Sequence, residues 1–233
     1  MAASVLLNWS GGKDAALALY HLLHDARYHV TDLLTSVSAP YQRVAMHGVR
    51  VELLEAQARH IGLPLKQLLL PDMPDMAAYE QQMAAALAPL QARGITHAAF
   101  GDIFLEDLRL YREQQLAQVG LAAVFPLWQR DSLELLREFW ALGFRAVVVC
   151  VNEQQLDQSF CGRLLDEDFV RDLPPGVDPC GENGEFHSFV FEAPYFQEPV
   201  LFTFGEQVRR TYPAPAGSPA ATAGFWFQDL LPA

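Results

Sequence analysis

The sequence predicts an α/β protein: a doubly wound parallel sheet followed by a smaller C-terminal α+β domain. Three observations carry that expectation. Short apolar runs alternate with longer segments of helical period from residue 1 to about 150. Glycine closes several helical segments just before the next apolar run, at Gly62, Gly94 and Gly143, where a left-handed C-cap belongs. After Val151 that alternation stops and turn-forming residues take over.

The apolar runs SVLLNW, HVTDLLTSV, LKQLLL, THAAFGD, AAVFPL and RAVVVCV are short and bounded by turn formers, so each reads as a strand. Between them, Lys13 to His24, Val49 to His60, Met76 to Arg93, Glu106 to Val119 and Ser132 to Leu142 read as helices. Lys13 to His24 shows the pattern well, with Ala16, Leu17, Leu19, Tyr20, Leu22 and Leu23 as its apolar positions. Units of this kind imply a parallel sheet wrapped by helices, spanning residues 1–151. Residues 152–187 read as loops and short helices with a turn cluster at LPPGVDPCGENGEF. SFVFEAP and PVLFTFGEQVRRTY then read as two strands, YPAPAGSPAATAG (212–224) as a flexible surface loop, and GFWFQDLL as a last edge strand. Residues 152–233 form the expected smaller domain.

At 233 residues and 26.0 kDa the chain can bury roughly 70% of its unfolded surface, so it needs no staples. A net charge of -12 with no dense Lys/Arg block leaves little basic surface for nucleic acid, and no such partner is expected. Cys150, Cys161 and Cys180 are odd in number and lack C-x-x-C spacing, which argues for reduced thiols in a cytoplasm rather than disulfides or zinc. No run approaches the ~20 apolar residues of a membrane helix, and the first run is too short for a signal-peptide core. The expectation is a soluble, cytoplasmic protein.

The first strand meets the first helix at SGGKD, Ser10 to Asp14. Small residues there let backbone N–H groups approach a phosphate while the helix dipole faces it. Ser10 adds a hydroxyl and Lys13 a charge. Asp14 would repel phosphate unless a cation lay between, which points to Mg²⁺. The Walker loop is excluded because Leu7 stands where it needs glycine and Asp14 where it needs Ser or Thr; G-x-G-x-x-G is absent too. The plain alternative is a ligand-free turn, but the flanking strand and helix favour a nucleotide. A second cluster, GENGEFH at Gly181 to His187, packs two carboxylates, an amide and an imidazole between two domains, where ligand clefts are common. Asp102 ends a predicted strand on the same side, with Arg109 and Arg112 three apart on the next helix.

WSGGKDA at Trp9 to Ala15 resembles the pyrophosphate-binding loop of the N-type ATP pyrophosphatases (PP-loop proteins). Together with AMHGV (Ala45 to Val49), GDIFLEDLRLYRE (Gly101 to Glu113) and DPCGENGEFHSFV (Asp178 to Val190), it is similar to the diphthine-ammonia ligase family over nearly the whole chain. The resemblance implies a HUP-type, adenine-nucleotide-hydrolase-like sheet that uses ATP and Mg²⁺. It implies a carboxylate substrate, diphthine on elongation factor 2, that is adenylated and then amidated by ammonia, with AMP and pyrophosphate released. Ser10, Gly11, Gly12, Lys13, Asp14, Ala15 and His47 become the nucleotide side, with Asp14 as the Mg²⁺ ligand. Asp102, Arg109, Glu182, Asn183 and Glu185 become the substrate side, and Lys13, Asp14, Glu185 and His187 the catalytic set. Glu185 or His187 would deprotonate the incoming amine, and how the roles divide within Gly181 to His187 stays open. The family loop usually ends in Ser or Thr; here Ala15 lacks that hydroxyl. Two rivals stand beside this reading: a tRNA-modifying PP-loop enzyme, opposed by the acidic chain, and an ATP-binding sensor without turnover. The sequence leaves the oligomeric state open.

Overall fold

The structure is a computed structural model that describes residues 2–71, 76–213 and 221–233. Its first layer is a sheet centred on β1 (Ala3–Asn8). β2 (Tyr28–Ser38) and β5 (His97–Ala99) flank β1 in parallel, β4 (Leu65–Leu70) extends the sheet beyond β2, and β6 (Ala122–Val124) extends it beyond β5. A two-residue β3 (Arg43–Val44) pairs antiparallel with the end of β2. The parallel order is therefore β4-β2-β1-β5-β6, and the chain reverses its direction of winding at β1. Ligands in such sheets collect outside the carboxyl ends of the strands at that reversal.

Side-chain alternation along β1 sets the two helical layers. Val5 and Leu7 face a core shared with α1 (Lys13–Leu23) and α2 (Val51–Ile61), through Leu17, Leu19, Leu53 and Leu54. Leu6 faces the opposite core, with Leu87 and Leu90 of α3 (Met76–Ala92) and Leu116 of α4 (Glu106–Gln118). This is the doubly wound arrangement the sequence predicts.

RAVVVCV departs from that prediction. Expected as a sixth parallel strand, it is β7 (Arg145–Asn152) of a second, wholly antiparallel sheet ordered β8-β7-β10-β9. β8 is Phe186–Glu192, β9 Phe202–Pro213 and β10 Thr222–Pro232. Every residue from Ala146 to Val151 is buried, and a strand covered on both faces reads alike in either kind of sheet. The terminal GFWFQDLL is likewise not an edge strand: it lies in β10, between β7 and β9. Of the expected loop 212–224, Tyr212 and Pro213 end β9, Thr222 to Gly224 begin β10, and 214–220 lie outside the described residues. Between the sheets, α5 (Ser132–Ala141) starts at Asp131, whose side chain accepts the Glu134 amide at 2.9 Å. A 3-10 turn (Gln158–Phe160) and α6 (Glu167–Arg171) follow β7 in the chain.

The second sheet is fastened to the amino end of α1. The Val190 amide donates to the Gly11 carbonyl at 2.9 Å, and the Tyr195 hydroxyl to the Ala16 carbonyl at 2.8 Å. Farther out, Arg43 and Arg50 both bind Asp229 of β10 at 2.8 Å. No helix among the described residues is long and apolar enough to cross a membrane. The three cysteines are free and buried.

Candidate active site

β1 runs out at Asn8, and the next four residues are shaped by groups from elsewhere in the chain. The buried Gln57 side chain of α2 is the main support. It accepts the Trp9 indole N–H at 2.9 Å and donates to the carbonyls of Gly11 (3.0 Å) and Val190 (2.6 Å). Gly11 has φ +78°, and a β-carbon there would stand 2.7 Å from Gln57 Oε1, so glycine is required twice over. α1 then begins with two amides held by hydroxyls: Gly12 N–H on Ser10 Oγ (3.3 Å) and Lys13 N–H on Ser188 Oγ (3.1 Å).

Lys13 is 5% exposed and its ammonium lies 2.7–2.8 Å from both Asp14 oxygens. Burial, the largest single influence, would pull its pKa down, but its acidic neighbours, Asp14 first and Glu182 among them, together outweigh it, and Lys13 stays protonated. Asp14 is itself pushed up by burial, against the pull of Lys13, with Asp178 and Asp102 adding repulsion. Glu182 behaves alike: burial, then Asp14, push it up to about 7, although it accepts the Ile103 amide at 2.7 Å. These mutually repelling carboxylates beside one lysine are a hard-oxygen donor set of the kind that shares Mg²⁺ with phosphate. Among the described residues, no group of three or more His, Cys, Asp or Glu is arranged to hold a metal ion by itself.

The DPCGENGEF loop is organised by its own acids. Asp178 Oδ2 accepts the amides of Cys180 (3.1 Å) and Glu182 (3.0 Å). Glu185, 1% exposed, accepts the Asp178 amide (3.0 Å) and both the backbone amide (2.9 Å) and the side-chain amide (3.0 Å) of Asn183. Its oxygens are thus occupied by the loop. His187 of β8 stacks on His47, ring centroids 4.4 Å apart. Burial holds both imidazoles neutral, His47 down at about 4 and His187 well below its ordinary value, with Lys13 reinforcing both. His47 packs over Gly12, and its Nδ1 is buried without a partner among the described residues.

The structure brings Ser10, Gly11, Gly12, Lys13, Asp14, His47, Glu182 and His187 together. Asp102 joins them at the side, its carboxylate 2.6 Å from Arg112 Nε and its pKa raised by burial against that arginine. Arg109 does not join: it pairs with Glu113 at 2.8 Å and lies over the rings of Trp128 and Phe125. Asn183 is exposed at the loop's tip and Ala15 is buried in α1. Sequence reasoning does not single out Gln57, Ser188 or Asp178. Asp178 and Ser188 sit inside a motif already singled out, and Arg112 was noted beside Arg109, whereas Gln57 is one glutamine in a helix and carries no local signal. Beside the site, a pocket of about 140 Å³ opens between the ends of β1 and β5 and helices α3 and α4, lined by Asn8, Leu87, Phe100 and Arg112.

A glycine-rich loop at the carboxyl end of the central strand of a doubly wound parallel sheet is consistent with an α/β protein of the PP-loop, HUP type. The chain belongs to the diphthamide synthase family: the N-terminal domain of that family matches residues 2–123 and the C-terminal domain residues 131–211. Named relatives agree. The mouse diphthine-ammonia ligase is 31% identical over 238 residues, covering 91% of this chain and 86% of the mouse protein. The human and bovine diphthine-ammonia ligases are each 30% identical over 130 residues, 54% of this chain. In those two alignments the chain spans 48% of the relative's length.

Proposed function

We propose that the chain is an ATP-dependent carbon-nitrogen ligase that adenylates a carboxylate and transfers ammonia to it, with diphthine on elongation factor 2 as the acceptor. The observation that carries this reading is the meeting of the two loops at the amino end of α1, where Lys13 and Asp14 from one stand beside Glu182 from the other. An anion site alone would serve a sensor; a carboxylate with a pKa of about 7 next to it supplies a base matched to neutral pH.

In this mechanism Ser10, Lys13 and the amides at the start of α1 that no hydroxyl already holds bind the triphosphate. Asp14 would hold Mg²⁺ against the phosphates and so offset their charge, leaving Glu182 free of the metal. The acceptor carboxylate attacks the α-phosphorus and pyrophosphate leaves. Ammonia attacks the acyl carbon, AMP leaves with the C–O bond, and the surplus proton on nitrogen passes to Glu182. Glu185 is a positioning residue, because its oxygens already hold three N–H groups of the loop. Neutral, stacked His47 and His187 line the site as uncharged donors and acceptors. The part carrying the parallel sheet binds ATP and the part carrying the antiparallel sheet meets the protein acceptor.

The test is to incubate purified protein with ATP, Mg²⁺, ammonium and diphthine-bearing elongation factor 2. AMP, pyrophosphate and an amidated acceptor are expected. ADP and phosphate would refute the chemistry, and tight ATP binding with no turnover would establish the sensor instead.

A further inference from the structure

We propose that Ser188 is a phosphate-contacting residue, giving the anion loop a hydroxyl from the C-terminal sheet where Ala15 offers none. The proposal rests on the nucleotide-binding reading above.

Ser188 lies on β8 and is 2% exposed. Its Oγ accepts the Lys13 amide at 3.1 Å, which is the first amide of α1. A hydroxyl that accepts one bond keeps a proton to donate, and among the described residues no acceptor takes it. A buried hydroxyl with an unused proton, fixed at a helix amino end, is placed to donate to an anion there. Ser10 repeats the arrangement on the neighbouring amide of Gly12, so two hydroxyls bracket the Gly12–Lys13 peptide.

The placement is rigid. Val190, two residues along β8, donates its amide to the Gly11 carbonyl, and the Ser188 carbonyl comes within 3.0 Å of where a Gly12 β-carbon would stand. His47, packed over Gly12 and interacting with the Ser188 backbone, brings a further polar group to the same spot, and its buried Nδ1 meets the hydrogen-bond criteria with no group among the described residues. Ala15 is buried in α1 and brings only a methyl group. A hydroxyl from β8 adds a donor without adding charge, and it ties phosphate binding to the sheet that carries the second loop.

The experiment measures binding of inorganic pyrophosphate and of ATP with Mg²⁺ to the full chain by titration calorimetry, with melting temperature followed in parallel. Ser188→Ala should weaken pyrophosphate binding about tenfold, the usual loss for a hydrogen bond to a charged group. Ser188→Thr, which keeps the hydroxyl, should bind within about twofold of wild type. If Ser188→Ala does not fold, Ser188→Cys, a weak donor of similar size, carries the same expectation. Unchanged affinity in a folded variant lacking the hydroxyl would overturn the proposal, and so would tighter binding, which would mean that Ser188 blocks the Lys13 amide. Wild-type protein that binds neither ligand would bring down the nucleotide reading and this proposal together.

Discussion

SGGKD and DPCGENGEF are both glycine-punctuated and both acidic, yet they are held in opposite ways. The first is shaped from outside: Gln57, Ser188 and Val190 grip its backbone, and its charged side chains, Lys13 and Asp14, pair with each other. The second is shaped from inside, since Asp178 and Glu185 bind five N–H groups of their own loop. Of its acidic side chains, Glu182 is the one that bonds outside the loop, accepting the Ile103 amide, while the Cys180 thiol reaches the Ser132 carbonyl. An acid in a loop full of orphan amides is therefore first a scaffold, and the proposed base is the acid that the scaffold leaves over.

The largest effect should come from the loop held from outside. Lys13→Ala removes the site's buried cation and should lower kcat/KM by about 10³-fold, in the range seen when one transition-state charge partner is lost. Pyrophosphate release in steady state checks it, and a loss under tenfold would mean that Lys13 serves the fold alone. The loop held from inside should fail differently. Glu185→Gln turns one carboxylate oxygen into an NH₂ that faces N–H donors, costing about 1–3 kcal/mol. Both the melting temperature and activity should fall together, whereas a direct role as base would lower activity with stability intact.

The contrast also explains what the sequence made legible. SGGKD could be read because its chemistry is local: strand end, glycines, lysine and aspartate are contiguous, and five of the six expected parallel strands follow from the same alternation. Gln57 was invisible because its three bonds join residues 46, 48 and 133 positions away. The hold of Glu185 on its loop could not be read because composition shows that an acid is present but not which amides surround it. Arg109 and Arg112, one turn apart, looked equivalent, and Asp102 chose Arg112 while Glu113 and two aromatic rings took Arg109. β7 was assigned to the wrong sheet because a fully buried valine run has no face to display.

Glu182 sharpens the comparison further, because its proton should be seen in both rate and stability. Its pKa is raised from 4.5 to about 7, so the folded chain holds that proton more tightly than the unfolded chain. The stability it contributes is present in full below pH 4.5 and is lost as pH rises through about 7. Glu182→Gln keeps an acceptor for the Ile103 amide and removes the titration. The variant should therefore be more stable than wild type at pH 8 and equal to it at pH 4. Amide formation, plotted against free ammonia, should fall about 10²-fold and lose its rise near pH 7. A variant that keeps the rise would move the base elsewhere.

The smallest effect should come from a contact that touches neither loop. Asp229 on β10 takes one arginine from each side of the Arg43–Arg50 turn that carries His47, and so anchors the second sheet beside the site. Burial would push Asp229 up, but its bonds to Arg50 and Arg43 outweigh that and bring it down to about 2. Because the folded value lies below the ordinary 3.8, its contribution is present above pH 3.8 and lost as pH falls through about 2. The arginines are partly in water, so Asp229→Asn should cost only about 1 kcal/mol at pH 7, and denaturation of variant and wild type should converge toward pH 2. Pyrophosphate affinity should stay within about twofold, since Gln57 and Val190 still hold the loop without Asp229. A larger loss of affinity would show that the loop held from outside depends on how the whole second sheet is docked, and not only on the residues that touch it.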